Sequence, residues 1–171
     1  ALNPDRIGDK LLYPEPTTLF KYMLKDKNGT QYNNFLSCPA VSDKFKKTLV
    51  FKSPMDCSYD YDFTDKDNLQ IKNIGKGSFD FFKERDDSIT TGPLINFGLS
   101  YILFADEPLN AYFTPPMFNI PTYTKNATII PGEFDVGQWF RPYNLECQFW
   151  DRKGIINFKY DEPLFYVELK T

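Results

Sequence analysis

Met55-Asp56-Cys57-Ser58-Tyr59-Asp60-Tyr61-Asp62-Phe63 is the stretch that decides the fold class. Its odd positions are Met, Cys, Tyr, Tyr and Phe, and its even positions are Asp, Ser, Asp and Asp. Successive side chains of a strand point to opposite faces, so this spacing predicts a half-buried strand. One face carries aromatics into a core, and the other carries carboxylates and a hydroxyl into water. Tyr143, Leu145, Cys147 and Phe149, alternating with Asn144, Glu146 and Gln148, repeat the pattern near the other end of the chain.

Working outward, further short strands are expected at 19–24, 30–33, 48–52, 69–74, 78–82, 94–104, 110–114, 126–130, 155–159 and 164–169. The strand at 110–114 is placed beside 94–104, where Gly98 marks a bulge or a close backbone approach. Asn28-Gly29 is a hairpin signal between the first two of these strands. Asp65 to Asn68, Gly75-Lys76-Gly77-Ser78 and Asp151-Arg152-Lys153-Gly154 read as turns, the last two of hairpin type. Glu84 to Gly92 reads as a loop. Phe35 to Lys47 is the one helix expected, with Pro39 in its first turn and Val41 and Phe45 at helical spacing. Residues 1–18, with Pro14 and Pro16, form an extended lead-in. Short strands with turn signals every eight to twelve residues predict an all-β fold. The expectation is an antiparallel β-sandwich or jelly-roll-like barrel with one short helix, residues 1–171 forming a single domain.

Composition supports this reading. Of the 171 residues 18% are aromatic, and Phe (17) and Tyr (11) supply most of them. Such residues favour pleated, half-buried surfaces. The net charge of -3 leaves no general attraction to phosphate backbones, so no nucleic-acid partner is expected. No run approaches a membrane span, and the first 20 residues do not read as a signal peptide. Cys38, Cys57 and Cys147 are too few and too scattered for a disulfide framework, and read as small buried hydrophobes in a reducing, intracellular setting. Secretion is not expected, although Asn28-Gly29-Thr30 and Asn126-Ala127-Thr128 fit the glycosylation pattern.

The chain has no histidine. That excludes His-based triads, Cys–His nucleophile pairs and the 2-His-1-carboxylate iron site. Asp56, Asp60, Asp62, Asp65 and Asp67 are dense in carboxylate but lack EF-hand spacing, and read as a solvated strand face and turn. Gly75-Lys76-Gly77-Ser78 lacks the P-loop spacing. Neither a cofactor, a metal nor a catalytic residue is assigned.

Ile130-Pro131-Gly132-Glu133-Phe134-Asp135-Val136-Gly137-Gln138-Trp139-Phe140-Arg141-Pro142 is the segment no period explains. Trp and Arg are enriched in binding hot spots. Glu133, Asp135, Trp139 and Arg141 are therefore the candidate binding residues, on a loop over 131–142. The alternative is that these aromatics plug one end of the core, with Arg141 paired to Glu133 or Asp135.

Several pieces resemble small proteins without an assigned activity encoded by contractile-tailed phages of marine cyanobacteria and by related marine metagenomic sequence. They are Cys38-Pro39-Ala40, Lys52-Ser53-Pro54-Met55-Asp56, Pro131 to Asp135 with Trp139-Phe140-Arg141-Pro142, and Asp161 to Val167. The resemblance implies a viral origin, in host cytoplasm or virion, and carries no mechanism. A weaker likeness is to trimeric nucleotide hydrolases of the dUTPase type, whose late chain has a similar strand-turn-strand order. The leading expectation is a non-enzymatic interaction or structural module that recognises a protein partner, or itself, through 131–142. The competing one is a nucleotide- or sugar-binding or hydrolysing β-barrel enzyme of dUTPase-like architecture.

Overall fold

The computed structural model describes residues 14–25, 36–65, 68–85, 93–140 and 142–170. The expected hairpin at Asn28-Gly29, its return strand at 30–33, Asp67, Arg141 and most of residues 1–18 lie outside the described residues. Twelve strands run through the rest: β1 (Thr17–Thr18), β2 (Thr48–Lys52), β3 (Cys57–Asp62), β4 (Gln70–Asn73), β5 (Asp80–Arg85), β6 (Leu94–Ile102), β7 (Asn110–Thr114), β8 (Ala127–Ile129), β9 (Gly132–Asp135), β10 (Pro142–Phe149), β11 (Lys153–Phe158) and β12 (Pro163–Lys170). They form three antiparallel sheets, ordered β1-β2-β12-β7-β9, β5-β6-β10-β8 and β11-β3-β4. The fold is mainly β and sandwich-like.

The five- and three-stranded sheets are joined by two continuous stretches of chain. β2 runs on into β3, and β11 runs on into β12, with β2 paired to β12 and β3 to β11. Ser53 holds the break together, donating its N–H to Glu162 O at 2.9 Å and accepting from Asp161 N at 3.0 Å. The four-stranded sheet packs across these two joined sheets through rings. Tyr59 and Phe158 approach Phe97 at 5.3 and 5.1 Å, and Tyr61 and Phe63 approach Phe149 at 4.7 and 5.3 Å. At the five-stranded end, Phe165 lies 4.7 Å from Tyr143. Cys57, Tyr59, Tyr61 and Phe63 are all buried, as their alternation requires.

Two sequence turns connect sheets instead of closing hairpins. Residues 150–152 carry the chain from β10 to β11, which lie in different sheets. Gly75-Lys76-Gly77-Ser78 carries it from β4 across to β5. There the backbone comes so close that a Cβ on Gly77 would meet Asp56 O at 2.6 Å. Likewise β7 pairs with β12 and β9, not with β6 as expected. Local turn chemistry is the same in each case, and only the long-range pairing separates them. β6 has its irregularity near Gly98, where the register to β10 shifts between Pro142 and Asn144.

Among the described residues two helices are present where one was expected: α1 (Leu19–Lys25) and α2 (Pro39–Lys47), with a short 3-10 turn at Thr122–Lys125. α1 corrects the strand expected at 19–24. A six-residue run that is apolar but for Lys21 fits either period, and tertiary packing decides. Leu19 and Met23, four apart on one helical face, pack with Phe45 of α2 against Val50 and Tyr166 on the outer face of the five-stranded sheet. α2 begins at Pro39, since proline suits the first helical position, and Phe35, the start expected from sequence, lies outside the described residues. Lys44, Lys46 and Lys47 fall in its last turn, where the helix dipole favours cations.

The buried rings and thiols have a consequence at high pH. Desolvation pushes the Cys57 thiol up to about 11 and the Tyr59 phenol up to about 12. Burial also raises Tyr61, Tyr123, Tyr143, Tyr166 and Cys147. Folding favours the neutral forms of these groups. That stability is full below the ordinary values of 9.0 and 10.0, and is lost as pH rises through the raised ones. The expected result is cooperative unfolding in alkali, with tyrosinate absorbance rising in step with loss of β circular dichroism. Ionisation of all the tyrosines with a single midpoint near pH 10.0 in a still-folded chain would contradict this burial.

Of the cysteines, Cys57 and Cys147 are buried and free, as expected, but Cys38 is exposed. It precedes α2 as its cap, and its carbonyl accepts from Val41 N and Ser42 N at 3.1 and 2.9 Å. No helix among the described residues is long and apolar enough to cross a membrane.

Candidate functional site

The 131–142 segment is not a simple loop. Gly132–Asp135 forms β9, the last strand of the five-stranded sheet, paired to β7 with Tyr112 opposite Glu133 and Ala111 opposite Phe134. Phe134 turns inward and stacks on Phe113 at 4.9 Å with ring planes 11° apart. Val136 is buried and donates its N–H to Leu109 O at 2.8 Å. So part of the segment closes one end of the core, as the alternative reading held, and part faces out.

The four sequence-predicted residues separate accordingly. Glu133 is exposed on β9. Asp135 is committed to the chain's own turn. Its Oδ1 accepts from Gly137 N at 2.8 Å and Leu109 N at 3.2 Å, its Oδ2 accepts from Gln138 Nε2 at 2.9 Å, and its backbone O accepts from Trp139 N at 2.9 Å. Asp135 thus sets where Trp139 sits. Trp139 is 46% exposed, with its ring 6.1 Å from Phe134. Arg141 lies outside the described residues.

Two further aromatics extend the surface, Phe140 from the same sequence segment as Trp139 and Phe104 from a separate one. Phe140 is 61% and Phe104 is 69% exposed, and their rings lie 6.0 Å apart. Phe104 was read as the end of a buried strand. β6 stops at Ile102, and residues 103–105 continue without strand pairing. No periodicity could have marked Phe104 as exposed. The turn under Trp139 is tightly constrained, since a Cβ on Gly137 would stand 2.7 Å from Glu107 O. Gly137→Ala is therefore expected to lower stability by about 1–3 kcal/mol, as overpacking does. It should also shift tryptophan fluorescence, because the turn carries Trp139. Thermal unfolding and emission spectra check this, and an unchanged variant would contradict the close approach.

Two acids of the Asp-rich stretch are engaged structurally. Asp62 accepts from Thr64 N at 3.0 Å and Lys153 Nζ at 2.8 Å, and the Lys153 bond holds its carboxyl well below the usual range. Asp56 accepts from Tyr160 N at 2.9 Å. Among the described residues no three His, Cys, Asp or Glu side chains group so as to hold a metal ion.

A concavity of about 440 Å³ opens at the far end of β12, where Pro163 pairs with Lys52. It is lined by residues from four separate stretches of chain, among them Tyr22, Lys52, Asn119 and Asp161. No sequence motif linked them.

No protein-family model matches this chain, and no curated protein or solved structure is detectably similar to it.

Proposed function

We propose that the chain is a non-enzymatic structural module that associates with a second copy of itself through β9 and the aromatic surface of Trp139, Phe140 and Phe104. The observation that supports this most is the pairing of three exposed large aromatics with the terminal strand of a sheet. An end strand is a template for further pairing, and exposed rings beside it supply the apolar anchor. Glu133 and Arg141 belong to the polar rim of this surface, and Asp135 is a positioning residue for Trp139. The resemblance to phage proteins fits such a role, in host cytoplasm or virion.

Sedimentation velocity of the wild type and of Trp139→Ala tests the reading. Association that the substitution removes supports it, and a wild type that stays monomeric at every concentration overturns it.

A further inference from the structure

We propose that the cleft between α1, the start of β12 and the 118–122 segment binds a neutral saccharide unit. This site is separate from the aromatic surface. Along β12, Lys52 pairs with Pro163 at one end, and Asn110, which also faces Asp135, pairs with Lys170 at the other. The cleft volume of about 440 Å³ falls within the range of small-ligand sites.

The lining chemistry selects the ligand class. Lys25, Lys52, Asp161 and Glu162 bring two positive and two negative charges, which cancel. Lys52 is largely buried, with its ammonium on the Asp161 carboxylate. Glu162 is fixed by Thr122, whose N–H and hydroxyl donate to its two oxygens at 2.7 and 2.8 Å. A bound ion of either sign would meet two like and two opposite charges, so neither an anion nor a cation gains a net attraction here. A sugar hydroxyl both donates and accepts, and can serve ammonium, carboxylate and the Asn119 amide together. Tyr22, Ile120 and Pro163 offer apolar surface for the C–H face of a pyranose. Ile120 is 76% exposed beside this polar group.

The backbone adds a second, independent sign. Asn119 and Asp161 have φ of 52° and 65°, and among the described residues they are the non-glycine residues with positive φ. Both line this one cleft. Left-handed backbone is uncommon for L-residues and clusters at ligand sites, and Asn and Asp tolerate it best.

The test uses the full chain and backbone amide NMR, with D-glucose, D-galactose, N-acetyl-D-glucosamine and their β-linked dimers as probes. Inorganic phosphate is the ionic control. The expected result is saturable shifts at Asn119, Ile120 and Asp161 with at least one sugar, and none with phosphate. Asn119→Gly keeps the positive φ open while removing the amide, so the fold should persist. It should weaken sugar binding about tenfold, as expected for about one lost hydrogen bond. An unmoved spectrum with every sugar, shifts with phosphate in their place, or undiminished sugar binding by a folded Asn119→Gly chain would each overturn the proposal.

Discussion

Phe165→Ala is expected to lower the unfolding free energy by about 3–5 kcal/mol. Phe165 is fully buried on β12, at the point where the five-stranded and four-stranded sheets meet. Its ring stacks on Phe51 at 4.8 Å with planes 10° apart, lies 4.7 Å from Tyr143, and sits within 5.7 and 6.3 Å of Phe113 and Tyr101. Each neighbour is itself held by other rings: Phe113 stacks on Tyr143 at 4.1 Å and Phe51 meets Tyr101 edge-on at 4.8 Å. Rings in such a cluster cannot collapse into the gap without abandoning other contacts, so truncation costs the transfer energy and leaves a cavity. Domains of this size hold about 5–15 kcal/mol in total, so the variant should unfold at far lower urea. A loss under about 1 kcal/mol in urea denaturation would mean that the ring is not central to the core.

Trp139→Ala is expected to do the opposite: little to stability and much to association. Trp139 is nearly half exposed, and its position rests on backbone and Asp135 hydrogen bonds that an alanine retains. Surface substitutions away from core contacts usually change stability by about 0.5 kcal/mol or less. A tryptophan at the centre of an interface commonly contributes 2 kcal/mol or more, which is about a thirtyfold loss of affinity. Phe140→Ala should follow in the same direction with a smaller loss, since its ring contacts Phe104 in the same patch.

How much of this was legible in the sequence depended on the distance over which each feature is decided. Met55–Phe63 and Tyr143–Phe149 are strands because their side chains alternate, and the alternation is written locally. Leu19–Lys25 is a helix because Leu19 and Met23 find Phe45, Val50 and Tyr166, residues far along the chain. A short run of apolar residues broken only by Lys21 carries no hint of that. Asp151–Gly154 looks like a hairpin turn from within, yet its flanking strands belong to different sheets. The candidate surface was half visible. Gly and Pro framed Trp139 and Phe140 as residues outside any period, but β9 was hidden among them, and Phe104 comes from a different segment. Asp135 looked like a binding acid and proved to be the residue that folds the turn. The cleft at Lys52 and Asp161 was invisible, because these two residues stand 109 positions apart and meet only through the pairing of β2 with β12.

Sedimentation velocity over a wide concentration series, run on the wild type and on Trp139→Ala with thermal unfolding of both, tests the central claim most directly. The predicted result is a concentration-dependent dimer for the wild type, a monomer for the variant, and nearly equal melting temperatures. A wild type that remains monomeric throughout, or a Trp139→Ala chain that loses its fold, would contradict an exposed association surface and return Trp139 to the core.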